Sequence, residues 1–148
     1  MRRSKRWRKK SFHIGEGEEA RYIKLALNMM VDMTAAMMGE ALVFAERGGA
    51  ARDAVLDVMG KSAIASPMIG YKLEAMRTRN FTANFSAGQM AKDFDLLLGA
   101  ARGTDTLLLL SVFVRQVWSS MIDSGAGEED FLAYVKTMET LSGIAPEK

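Results

Sequence analysis

Cysteine is absent from this 148-residue chain, and histidine occurs once, at position 13. The first absence excludes disulfides, thiol nucleophiles and cysteine-based metal sites; the second excludes a histidine-rich metal centre. No metal is therefore expected. A thiol-free chain suits a reducing cytoplasm, which is the expected location. Only two prolines occur, which leaves room for long unbroken helices. Strand-period alternation of useful length is missing, and so is any internal repeat. The apolar runs are interrupted, the first by Asp32 and the second by Arg115. Both stop short of the roughly 20 clean residues that span a bilayer, so no membrane is expected. No apolar run follows the N-terminal cations before Gly15, so a secretory signal is excluded as well.

What is present is apolar bulk and an uneven charge. Hydrophobic residues make up 49% and charged residues 26%, which suits one soluble domain with a real core. The net charge of +2 hides seven cations and no acid among the first ten residues. The rest carries 13 basic against 18 acidic side chains, a net charge of −5. Residues 1–14 are expected to form a disordered, solvated basic arm, with His13 exposed and idle. Nucleic-acid binding through the arm and Trp7 is the weaker alternative, since the body is acidic and lacks a helix-turn-helix signal.

From residue 15 to 148 the chain reads as all-α, with about six helices packed around one long first helix. Glu18 and Glu19 suit a first helical turn, where the positive dipole end favours acids, and Gly48-Gly49 closes that helix. On a wheel of about 100° per residue, Arg21, Lys24, Asn28, Asp32, Gly39 and Glu46 share an arc of roughly 80°. Most of the remaining circumference is apolar. A helix apolar on nearly every side is normally buried, so its single polar stripe should meet solvent through a cleft or line a site. Lys24 and Asn28, four apart, project side by side from it. The twelve methionines read as adaptable core filler.

Further helices are expected over about Arg52 to Met59, with Val55, Val58 and Met59 inward, and from Ser66-Pro67 to about Arg77. Ser86 and Gln89 form a capping box that opens the next, which runs to about Arg102. Another covers Thr106 to Asp123. Glu128 and Glu129 open the last, which Gly143 ends. Thr78 to Phe85 has no clear period.

The run Gly15-Glu-Gly-Glu-Glu-Ala-Arg-Tyr-Ile-Lys24-Leu-Ala-Leu-Asn28 resembles the glycine-rich lead-in and Lys-x-x-x-Asn helix of the β-hydroxyacid dehydrogenases. Similar motifs recur in Gly39 to Gly49, in Phe81-x-x-x-Phe85, in the Lys92-Asp93 pair and in the Gly125–Asp130 turn. The resemblance covers about Gly15 to Gly143 and implies the all-helical C-terminal domain of that family, like that of 6-phosphogluconate dehydrogenase. It further implies NAD or NADP, bound mainly by a preceding Rossmann domain that 14 residues cannot hold. By resemblance, Lys24 is the catalytic acid–base, Asn28 binds substrate, and Lys92 and Asp93 lie at the cofactor. Burial should lower the lysine pKa from about 10.4 towards about 7–8, where acid–base work is efficient. The plain alternative for Lys92 is an exposed i,i+3 pair with Asp95. Phe81 and Phe85 are expected in the core.

The resemblance implies an NAD(P)-dependent, 3-hydroxyisobutyrate dehydrogenase-like oxidoreductase, incomplete and inactive alone. A separate Rossmann-domain chain would be its partner, and a small β-hydroxyacid its substrate once complemented. The alternative is a helical homodimerisation or interaction module that no longer catalyses. The apolar helix leads either reading to expect a homodimer.

Overall fold

Two acids mark the start of the longest helix, as the sequence predicts: α1 spans Glu19–Arg47, with Glu19 in its first turn and Arg47 in its last. The computed structural model describes residues 14–145, so the basic arm and His13 lie outside the described residues. Those residues form α1, α2 (Arg52–Lys61), α3 (Pro67–Thr78), α4 (Ala87–Gly103), α5 (Leu109–Asp123), a 3-10 turn (Phe131–Ala133) and α6 (Tyr134–Leu141). No strand occurs among them, only a single antiparallel bridge between Ser86 and Asp130. The all-helical expectation holds. α1 packs against α4 and α6, with α2 and α5 also touching it.

Cap chemistry explains where two helices begin. Ser66 Oγ accepts from the Ile69 amide at 3.2 Å, with Pro67 in the first turn of α3. Ser86 Oγ accepts from the Gln89 amide at 3.2 Å while Gln89 Oε1 accepts from the Ser86 amide at 2.8 Å, closing the capping box of α4.

Two boundaries differ from expectation. α5 begins at Leu109 rather than Thr106, because Leu108 takes φ −115° and ψ 71°, outside the helical region, so the helical run cannot include it. The last α-helix begins at Tyr134 rather than at Glu128. Residues 127–130 are occupied in closing the start of α4: the Gly88 and Ala87 amides donate to the Gly127 and Glu129 carbonyls at 2.9 and 3.0 Å. Those amides belong to a helix N-terminus and have no intrahelical acceptor. Asp130 then caps the 3-10 turn by accepting from the Leu132 amide at 3.1 Å.

The core forms around Trp118, Phe94, Phe131, Leu42, Leu56, Met76 and Met121, all fully enclosed. The Trp118 ring meets Phe131 and Tyr134 edge-on, with centroids 6.5 and 6.1 Å apart, a favoured aromatic geometry. Phe81 is buried and Phe85 packs against the same core, as expected. Val58 is exposed rather than inward, and Leu56 takes its place. Met38, Met59, Met76, Met90 and Met121 are core filler, but Met30 and Met37 face outward.

The largest correction concerns α1. Its polar stripe divides along the helix and the apolar remainder is not buried all round: Arg21 and Lys24 are exposed, Asp32 and Gly39 are buried with Leu25, Ala35, Ala36, Leu42 and Val43, and Ile23, Leu27, Met30, Met37 and Phe44 on the other side are exposed. Gly39 explains the buried part. A Cβ there would meet the Tyr134 ring at 3.2 Å and the Val135 backbone at 3.6 Å, so the missing side chain lets the α6 segment approach.

Buried charge is confined to paired groups elsewhere. Lys72 on α3 reaches Asp130 with Nζ 3.1 and 3.0 Å from the two carboxylate oxygens, both side chains buried. Its ammonium also lies 4.4 Å from the Phe131 ring centroid. Glu139 accepts both terminal nitrogens of Arg79 at 2.7 and 2.8 Å and is also paired with Arg52, which bonds Glu46 at 2.7 Å. Removing one partner of a buried pair strands the other charge. Asp130→Ala should therefore cost about 3–5 kcal/mol of stability in chemical denaturation. A loss under about 1 kcal/mol would show that Lys72 escapes to water.

Candidate functional site

Asn28 sits on the third turn of α1, on the side turned towards α4. From there its Nδ2 donates to Asp93 Oδ2 at 2.6 Å, the one side-chain bond that ties these helices together among the described residues. The register of α4 is set by its capping box and by the 127–130 carbonyls, so the start of α4 fixes where Asp93 lies. Using one N–H on Asp93 leaves the Asn28 amide with a second donor and a carbonyl acceptor.

One turn further along α1, Asp32 is completely buried, and neither carboxylate oxygen has a hydrogen-bond partner among the described residues. Burial raises its pKa from 3.8 to about 8, with the Asp93 charge adding to the effect. At neutral pH the group is therefore held mostly as the neutral acid. A carboxylate beside another carboxylate, out of water, is the costlier form.

The four sequence-predicted residues divide into one bonded pair and two cations. The fold brings Asn28 and Asp93 together. Lys24, one turn before Asn28, is exposed. No wall of the described residues removes it from water, so the burial expected for a catalytic lysine is not supplied by these helices. Lys92 is exposed as well, at the rim of a cavity of about 290 Å³ shared with Ser86, Gly88, Gln89 and Glu128. Asp95, its i,i+3 partner in the plain alternative, instead takes Arg115, whose Nε and Nη2 lie 2.8 and 3.1 Å away. Neither Lys24 nor Lys92 makes a hydrogen bond or ion pair among the described residues.

Sequence reasoning placed Asp32 on the right stripe but did not find its depth. The signal was its i+4 spacing from Asn28; what the wheel lacks is which side meets the core. Among the described residues no three His, Cys, Asp or Glu side chains converge as a metal site.

Comparisons with known proteins bear on this geometry. Residues 17–138 match the family model described as the NAD-binding domain of NADP-dependent 3-hydroxyisobutyrate dehydrogenase. The chain is 25% identical over 135 residues to 2-(hydroxymethyl)glutarate dehydrogenase of Eubacterium barkeri, covering 90% of this chain and 45% of that protein. It is 27% identical over 130 residues to mitochondrial 3-hydroxyisobutyrate dehydrogenase of Drosophila melanogaster, covering 83% and 40%. The chain thus spans less than half the length of these curated relatives. The fold matches the crystal structure of 3-hydroxyisobutyrate dehydrogenase from Salmonella typhimurium with TM-score 0.75 and 23% identity, over 80% of this chain and 42% of that one.

Asp32 supplies a pH test. Its folded pKa near 8 lies above the unfolded value near 3.9. Below about pH 4 both states hold the proton and the group contributes nothing. From about pH 4 to 8 the unfolded chain releases the proton and the native one keeps it, so stability falls as pH rises. Asp32→Asn, neutral throughout, should be more stable than the parent at pH 8 by roughly a few kcal/mol, with the gap closing towards pH 4. Urea denaturation across that range measures it, and a gap independent of pH would contradict the assignment.

Proposed function

Because the chain belongs to the NADP-dependent 3-hydroxyisobutyrate dehydrogenase family, we propose that it supplies the helical, substrate-facing half of an NAD(P)-dependent β-hydroxyacid dehydrogenase. The observation that carries this reading is the Asn28–Asp93 bond one turn from the exposed Lys24. A bonded amide beside an unpaired primary amine is the equipment for holding a hydroxyl oxygen and exchanging its proton.

Each residue then has a distinct task. Lys24 takes the hydroxyl proton when the hydroxyacid is oxidised and returns it when the carbonyl is reduced. Asn28 orients the substrate oxygen with the donor and acceptor that Asp93 leaves free. Asp93 is a positioning residue, since its contact is with the amide. Lys92 is the cation available to a cofactor phosphate. The nicotinamide, when bound, supplies the hydride acceptor. The described residues fit only one flank of such a cofactor: they hold no sheet and no glycine-rich strand-to-helix turn to cradle a pyrophosphate. A dinucleotide-binding domain, on a separate chain or elsewhere in the same protein, is the partner this reading requires. Its docking over α1 would also supply the desolvation that Lys24 lacks here and that a catalytic lysine needs.

A second reading, a helical interaction module without catalysis, is favoured by the exposed apolar side of α1. Complementation separates the two. The chain is mixed with, or fused to, the dinucleotide-binding domain of a 3-hydroxyisobutyrate dehydrogenase, and NAD(P)H production is followed with 3-hydroxyisobutyrate. Activity should appear and fall about 10²–10⁴-fold in Lys24→Ala. Lys24→Arg should be equally inactive, because arginine keeps the charge but cannot act as a base near neutral pH. Asn28→Ala should cost less. An active Lys24→Arg variant would move the acid–base role elsewhere, and a bound but inactive parent would favour the interaction module.

A further inference from the structure

The end of α1 farthest from Lys24 opens on a cavity of about 450 Å³. It lies where the last turn of α1, the start of α2, the C-cap of α3 and the end of α6 meet. Its charged wall consists of Glu46, Arg47, Arg52, Arg79 and Glu139, three guanidiniums against two carboxylates. Lys24 is roughly 34 Å away along the helix. A ligand held here takes no part in the chemistry proposed above.

Both acids are already engaged. Arg52 bonds Glu46 through Nε and Nη2 at 2.7 and 3.1 Å, and the same Nη2 pairs with Glu139. Arg79 closes a two-pronged fork on Glu139. It does so from φ 55° at the α3 C-cap, a left-handed conformation that favours glycine or asparagine. All four carboxylate oxygens therefore accept from Arg52 or Arg79. Arg47 is exposed and makes no hydrogen bond or ion pair among the described residues. On Arg52 the acids take the Nε–Nη2 edge, and Nη1 is enclosed without a partner. One positive charge in the wall is thus unbalanced. The helix ends do not balance it, because the Gly48, Gly49 and Ala50 amides already cap carbonyls of the last turns of α1. The Ile144 amide likewise bonds the Glu139 carbonyl at the end of α6.

We propose that this cavity binds a small aliphatic carboxylate, with its head group on Arg47 and its carbon chain against Ala50 and Ile144. Three features select that class. A guanidinium presents a planar fork that matches a carboxylate with two parallel bonds. A surplus of one charge suits a monoanion better than a phosphate dianion. Ala50 and Ile144 make one side of the cavity apolar, which suits carbon and offers no donor to the outer oxygens of a phosphate. The plain alternative is an ion-pair clamp between helices, with Arg47 merely solvated. Ala145 also lines the cavity, so Glu147, two residues on in the sequence, is a competing carboxylate.

The test reads binding alone. The full chain, labelled with nitrogen-15, is titrated with butyrate and separately with inorganic phosphate, and followed by NMR. Butyrate should move the Arg47 and Arg52 Nε–H signals and the Ala50 and Ile144 amides saturably, at about millimolar concentration. The Asn28 side-chain amide should stay in place. Arg47→Gln, at an exposed position with no bond to lose, should weaken binding at least about tenfold with the circular dichroism unchanged. The absence of any saturable shift would overturn the proposal, as would butyrate binding that Arg47→Gln leaves intact. Phosphate binding as tightly as butyrate would mark an adventitious ion only and overturn the carboxylate assignment. Butyrate binding that appears only in Glu147→Gln would show that the chain's own acid fills the cavity, and would overturn it too.

Discussion

A helix that turns part of its polar stripe towards the core must accommodate each group it carries inward, and α1 does so with three different devices. Asn28 is bonded to Asp93 across the α1–α4 contact. Asp32 has no hydrogen-bond partner among the described residues, and burial raises its pKa to about 8, which favours the neutral acid over a buried charge at neutral pH. Gly39 brings no side chain, which gives α6 room to close on the helix. The remaining elements are arranged around these three points: α4 must present Asp93, α6 must cross at Gly39, and the wall around Asp32 must exclude water. Reversing the helix would put Leu27, Met30 and Phe44 inside, but it would leave these partners with nothing to meet.

The position of Asp93 depends in turn on groups far from it in sequence. The 127–130 backbone accepts the first amides of α4, and the buried Lys72–Asp130 pair holds that segment to α3. The same Asp130 carboxylate also accepts from the Asn84 and Leu132 amides, at 3.3 and 3.1 Å. One buried carboxylate thus links α3, the lead-in to α4 and the turn before α6. That is why this loop stays irregular where a helix was expected: its carbonyls are already in use as caps.

Much of the architecture is legible in the sequence because it is local. The capping box at Ser86, the Ser66-Pro67 start and the glycines after α1 act within four residues, and the structure follows them. The choice of side is not local. A wheel shows that α1 has a polar arc and an apolar arc, but which arc meets the core depends on Asp93, Tyr134 and Val135, 60 to 100 residues away. The Asn28–Asp93 bond was unreadable for the same reason, although both residues stood out through the family resemblance. Asp95 fails similarly: its nearest cation along the helix is Lys92, yet the bidentate fork of Arg115 from α5 takes it.

The family assignment and the geometry meet at Lys24. These helices hold it one turn from the bonded Asn28 and leave it in water, so the account requires a second domain to cover it. Lysine reactivity reads this directly. The chain is labelled with an amine-selective reagent, alone and with a dinucleotide-binding half plus cofactor, and each site is quantified by mass spectrometry. Labelling of Lys24 should fall sharply in the complex while that of Lys61, exposed at the end of α2, stays constant. A complex that forms and leaves Lys24 as reactive as Lys61 would contradict the claim that this side of α1 faces the reaction.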